Sequence, residues 1–185
     1  MDKNTAYVRF FAGINPKTVN TLMQVIQEQL QQGVERFVLL LSSGGGSVFG
    51  GISAYNFLRG IPAEVITHNF GSIDSVAVIL YCAGTKRLCV PNARFLLHGI
   101  GFDITQPTRF DEKLLDERMK GLKIDRDNIS RIIAENCNKK IEDVENDVLT
   151  SIVLNSGEAI AYGLVHEIKS ELFPKEANII NITDV

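Results

Sequence analysis

The apolar positions of the chain fall into a repeating strand–helix rhythm. Residues 7–11 read as a short strand. Asn15-Pro16 then supplies a helix cap and a first-turn proline, and Val19, Leu22, Val25, Ile26 and Leu30 recur at helical spacing until Gly33 ends the helix. Residues 36–41 (RFVLLL) form an unbroken β-prone apolar run, which suits a strand buried on both faces in a parallel sheet covered by helices. Together these segments make one β-α-β unit. The rhythm continues with a glycine-rich turn, a helix over about 49–58, a strand over 63–67 and a helix over about 75–82. Two more strands, 87–90 and 94–97, are separated by the turn signal Pro91-Asn92.

From residue 110 to 137 the chain becomes charged, with Leu114, Met119, Leu122, Ile129, Ile132 and Ile133 as core-facing or partner-facing positions of a long helix. That length suits either a projecting arm or a surface helix with one apolar stripe. Ser156 is expected to cap a last helix carrying Glu158 and Ala159, closed by Gly163 and followed by a strand over 164–168. The tail NIINITDV is either one more edge strand or a disordered end. No internal repeat interrupts this α/β pattern.

Composition narrows the function classes. With 185 residues and 45% hydrophobic content the chain is expected to form one domain, 1–185, with a full core. Its 19 Lys+Arg against 22 Asp+Glu leave a net charge of −3, the wrong sign for a nucleic-acid binder. No apolar run has membrane-spanning length and the N-terminus lacks the features of a signal peptide, so the expected location is the cytoplasm. Cys82, Cys89 and Cys137 form no CxxC pair and are odd in number, so no disulfide framework or cysteine zinc site is expected.

Three places could carry chemistry. The stretch from Leu41 to Val48 (LSSGGGSV) follows a buried strand and opens a helix, so its amides could face an oxyanion or a phosphate; it is neither a Walker loop nor GxGxxG. A second turn, Gly71 to Val76, holds Ser72, Asp74 and Ser75, which serve either as helix caps or, for Ser75, as a nucleophile beside a helix start. Of His68, His98 and His166, only His98 ends an apolar strand (RFLLH), where a neutral imidazole could act as a base if a nucleophile lay opposite.

Four ordered stretches resemble the proteolytic subunit of the Clp protease (ClpP) family, serine peptidases of the ClpP/crotonase fold. LSSGGGSVFGG resembles N-S-P-G-G-S-V-x-x-G, and GSIDSVAVILYCAG resembles the nucleophile stretch G-x-A-A-S-M…A-A-G. PNARFLLH and SGEAIAYGLV resemble P-N-A/S-R-x-x-I-H and S-x-x-E-A-x-E-Y-G-L-I/V. The resemblance implies a spiral of βαβ units with a long projecting arm helix, about 111–136, and assembly into rings around Ser75. It makes Ser75 the nucleophile, His98 the base, and the Gly45 and Val76 amides the oxyanion hole. It implies peptide or unfolded-protein substrates, an ATPase chaperone partner, and no metal or organic cofactor.

One position departs from the pattern. Ser151 occupies the place of the family's triad aspartate, and Asp147 falls one helical turn upstream. Asp147, Asp103 or Asp74 are candidates to substitute for it. A catalytically impaired scaffold or peptide-binding subunit is therefore the alternative to a serine endopeptidase, with a crotonase-type acyl-CoA enzyme as a further one.

Overall fold

The computed structural model describes residues 5–101 and 109–184. Strand β1 (Thr5–Phe11) leads into helix α1 (Pro16–Gln31), whose start is fixed by a reciprocal cap: Asn15 Oδ1 accepts from the Thr18 amide and Thr18 Oγ1 accepts from the Asn15 amide. Val19, Leu22 and Ile26 of α1 are buried against the sheet. The chain returns in β2 (Arg36–Ser43), parallel to β1 from Thr5↔Arg36 to Phe11↔Ser42. Helix α2 (Val48–Gly60) crosses over to β3 (Glu64–Asp74), and α3 (Ala77–Cys82) to β4 (Lys86–Cys89) and β5 (Arg94–Leu97). Helices α4 (Glu112–Cys137) and α5 (Ile141–Thr150), strand β6 (Ile152–Asn155), helix α6 (Ser156–Tyr162) and strands β7 (Glu167–Ile168) and β8 (Ile179–Thr183) follow. The sheet runs β6-β5-β3-β2-β1-β8, with β4 on β3 and β7 on β4, and among the described residues only β5 with β6 is antiparallel. This is the expected α/β succession of βαβ units. Among the described residues, no helix is long and apolar enough to cross a membrane.

Strand β3 forks the sheet. Its Ile66–Asn69 segment pairs with β4, whereas Ser72–Asp74 pairs with β5. Fully buried Asn69 makes the switch: its Oδ1 accepts from the Gly71 amide at 2.9 Å and its Nδ2 donates to the Arg94 carbonyl at 3.0 Å. With those backbone groups satisfied and a fresh strand edge available, the chain stays extended to Asp74. The turn expected over 71–76 is thus reduced to Ser75 and Val76.

Other differences are also local. Leu164 and Val165 donate their amides to the Ala159 carbonyl to close α6, so the strand expected over 164–168 shrinks to Glu167–Ile168. Asn155, rather than Ser156, is the α6 cap. The tail takes the edge-strand option, as β8 on β1. The arm helix is present as α4: Ile129, Ile133, Ala134 and Cys137 in its second half are buried, while Leu115, Met119 and Ile124 in its first half are exposed.

Candidate functional site

Ser75 sits where β3 ends and α3 begins, at φ 60°, a left-handed conformation uncommon for a serine and held only where surroundings enforce it. Its amide donates to the Leu96 carbonyl of β5 at 2.8 Å, and its carbonyl accepts from the Val78 amide at 3.0 Å. Val76, at the head of α3, is buried against Gly51 of α2; a Cβ on that glycine would lie 2.3 Å from Val76 Cγ2. The nucleophile candidate is therefore clamped from a strand, a helix start and a neighbouring helix.

The glycine-rich turn closes over it. Gly45 has φ 88°, and a Cβ there would meet Ser75 Cβ at 2.7 Å and Ser75 Oγ at 3.2 Å, so only glycine permits this approach. The Gly45 amide donates to Ser43 Oγ at 3.2 Å, a long bond that a developing oxyanion could displace. Two motifs some thirty residues apart in sequence are thus in contact.

His98 lies just beyond β5, two residues after the Leu96 carbonyl that holds Ser75. Both Ser75 and His98 are half-buried. Among the described residues the His98 imidazole has no hydrogen-bond or ion-pair partner, and no carboxylate among them reaches it. The antiparallel register of β5 with β6 ends at Leu97↔Ile152, so His98 and Ser151 flank its last pair. Ser151 is exposed and left-handed at φ 61°, ending α5.

Asp147 is not brought to His98. Its Oδ2 accepts from the Tyr162 hydroxyl at 2.8 Å, and burial together with that bond pushes the phenol far above its ordinary pKa, keeping it a donor. Lys139 Nζ stands 4.2 Å from the centre of the Tyr162 ring. Asp74 is also engaged: its Oδ1 accepts from Ser72 Oγ at 2.7 Å and its Oδ2 from Arg94 Nη2 at 2.5 Å. Asp103 lies outside the described residues.

The remaining histidines serve the framework. Buried His68 bonds the Lys169 carbonyl through Nε2 at 2.9 Å, and His166 Nδ1 accepts from the Arg87 amide at 3.1 Å. Burial pushes the Cys89 and Cys137 thiols up to about 11 and Cys82 further, so none is a thiolate near neutral pH. Among the described residues no cluster of three or more His, Cys, Asp or Glu is placed to hold a metal.

A groove of about 440 Å³ runs beside the glycine turn, between Gly46–Val48 and Ile100–Gly101 on one side and the Glu117, Leu122 and Asp125 positions of α4 on the other. A larger cavity of about 660 Å³ lies between the sheet and the 169–175 segment, lined by His68 and Phe173 but by none of the site residues.

The sequence matches the Clp protease family over residues 5–171. The chain belongs to the Clp protease family. It is 26% identical over 155 residues to an ATP-dependent Clp protease proteolytic subunit of Lactococcus lactis subsp. cremoris (strain SK11), covering 80% of this chain and 74% of the relative. A ClpP1 mutant from Listeria monocytogenes has the same fold, with a TM-score of 0.78 at 23% identity, covering 92% of this chain and 93% of that one.

Within this Clp protease chain the Arg94 clamp is one feature that sequence reasoning missed, because its two ends lie 20 residues apart and meet only when β3 pairs with β5. It neutralises the Asp74 carboxylate, whose side chain is 14% exposed, directly before Ser75. Arg94→Ala is expected to cost about 1–3 kcal/mol of stability, since it leaves a largely buried charge without its donor. Asp74→Ala in the same chain is expected to recover most of that loss, because both partners are then gone. Chemical denaturation of the two single variants and the double variant measures the coupling; equal losses for Arg94→Ala in both backgrounds would refute the clamp.

Proposed function

We propose that this chain is a serine endopeptidase subunit that hydrolyses peptide bonds inside a self-associated ring. The observation that carries it is the strained Ser75, packed against Gly45 and hydrogen-bonded to the strand whose end bears His98. In this reading a substrate strand lies in the groove beside Gly46–Val48, with its scissile carbonyl over Ser75. His98 takes the Ser75 proton as Oγ attacks the carbonyl carbon. The Gly45 amide turns from Ser43 Oγ to the new oxyanion, joined by the Val76 amide; such a donor is worth about 3 kcal/mol. His98 returns the proton to the leaving amine, and water then hydrolyses the acyl-enzyme by the same steps in reverse.

The chemistry needs neither a metal nor an organic cofactor. Exposed Leu115, Met119 and Ile124 on the arm helix α4 supply apolar surface for self-association. The Lactococcus relative is named as ATP-dependent, which makes an ATPase that delivers unfolded chains the partner expected here. Measuring release of fluorescent fragments from labelled unfolded casein tests the activity: purified protein is expected to cleave it slowly and Ser75→Ala about 10²-fold more slowly still. Equal rates for the two proteins would remove the peptidase reading.

An impaired scaffold or peptide-binding subunit is the second reading, favoured by the lack of a carboxylate at His98 among the described residues. It predicts that a non-cleaved peptide binds the oligomer and that wild type and Ser75→Ala bind it equally.

A further inference from the structure

The family match ends at residue 171, yet the chain beyond it returns to the site. Strand β8 adds to the edge of β1, with Phe10↔Ile182 and Phe11↔Thr183 as its last pairs, and Ile182 is buried. The next residue, Asp184, therefore arrives beside the turn between β1 and α1. Its two carboxylate oxygens accept from the Gly13 amide at 3.1 and 3.0 Å, and Oδ1 stands 3.5 Å from Asn15 Nδ2, the cap of α1. Helix α1 has no acidic residue in its own first turn, so Asp184 also provides a negative charge at its positive end.

That turn is the direct support of the glycine-rich loop. The Ile14 amide donates to the Gly45 carbonyl at 2.8 Å, and the Ile14 carbonyl accepts from the Ser47 amide at 2.7 Å. Gly46 approaches so closely that a Cβ on it would lie 2.3 Å from the Ile14 carbonyl oxygen. Gly45 in turn rests on Ser75. Contacts at hydrogen-bond or van der Waals distance thus run from Asp184 through Gly13 and Ile14 to Gly45, whose amide is proposed to face the oxyanion. None of them needs a flexible side chain beyond Asp184 itself.

We infer that Asp184 is a positioning residue: the C-terminal strand braces the β1–α1 turn so that the glycine loop holds Gly45 over Ser75. The catalytic part of this inference rests on the peptidase reading; the brace itself does not. Asp184 touches neither the nucleophile nor the substrate groove, so it acts through Gly13 and Ile14. Asparagine at this position keeps an oxygen for the Gly13 amide and loses the charge, which separates the hydrogen bond from the effect on α1.

The test pairs amide hydrogen exchange with fluorophosphonate labelling on the intact protein. In Asp184→Ala, exchange across residues 13–14 and 44–47 is expected to accelerate at least tenfold, with β3 and α4 unchanged. The maximal labelling rate at Ser75 is expected to fall about tenfold, with the probe concentration for half-maximal rate unchanged. Asp184→Asn is expected to restore most of both. Unaltered exchange at 44–47 in Asp184→Ala overturns the brace, and full-speed labelling of that variant overturns its catalytic part. Wild type that fails to label would count against the peptidase reading alone, with the exchange result still deciding the brace.

Discussion

Ser151→Asp is expected to raise peptide hydrolysis by about 10²-fold, and by no more than about 10⁴-fold. In serine hydrolases losing the acid alone costs about 10⁴, because the imidazole loses its preferred tautomer and the stabilisation of its charged form. The register of β5 with β6 ends at Leu97↔Ile152, so positions 98 and 151 flank its last pair at the same end of the ladder, which makes 151 the position from which a carboxylate is expected to reach His98. Aspartate also tolerates the left-handed backbone that Ser151 adopts at φ 61°. The lower figure allows for an exposed carboxylate that is only partly fixed. With no carboxylate at His98 among the described residues, and because triad members act as a unit, Ser75→Ala is expected to cost only about 10² in the wild-type background. In the Ser151→Asp background that substitution should cost 10⁴ or more. Steady-state hydrolysis of a fluorogenic peptide by the four proteins gives both numbers; an unchanged rate for Ser151→Asp would show that position 151 does not serve His98.

Arg87→Met is expected to destabilise the protein by about 3–5 kcal/mol. Arg87 is 4% exposed and among the described residues meets no carboxylate; its guanidinium donates there only to carbonyl groups. Nε reaches the Leu164 carbonyl at 2.7 Å, and Nη2 reaches the carbonyls of Asn136 at 2.7 Å and Gly163 at 3.2 Å. Nη1 adds the Gly84 carbonyl and Asn136 Oδ1, each at 3.3 Å. These acceptors lie at the C-terminal ends of α3, α4 and α6, whose partial negative charges one cation gathers. Each bond from a charged donor is worth about 1.5–3 kcal/mol, offset by the cost of burying the charge. Methionine fills the volume and leaves those carbonyls bare. Lysine, lacking the planar fork, is expected to recover less than half of the loss. Urea denaturation with an unchanged slope would measure it; a loss below about 1 kcal/mol would mean that water or repacking replaces the guanidinium.

Features governed by neighbouring residues were legible in the sequence. The apolar run that became β2, the Asn15-Pro16 cap, the strand Arg94–Leu97 and the arm helix all appear where periodicity and capping put them. The contact of Gly45 with Ser75 followed from ordered motifs rather than from any local pattern. What stayed hidden depends on partners distant along the chain. Nothing in HNFGSID announces that Asn69 will bridge two strands and carry β3 to Asp74. Helix α5 buries only Val144 and Val148, too thin an apolar stripe to stand out from its charges, and β6 is four half-buried or exposed residues. Asp147 and position 151 are one helical turn apart, but Ser151 has already left the helix, so Asp147 turns to Tyr162 instead. The Asp184 contact likewise joins two ends of the chain 171 residues apart.

The most direct test of Ser75 as an activated nucleophile is covalent labelling of the purified protein with a fluorophosphonate, with the modified residue located by mass spectrometry. Labelling at Ser75 alone, abolished by Ser75→Ala and slowed at least tenfold by His98→Ala, is the expected result. Folded protein that remains unlabelled, or carries the phosphonate on another serine, would contradict it.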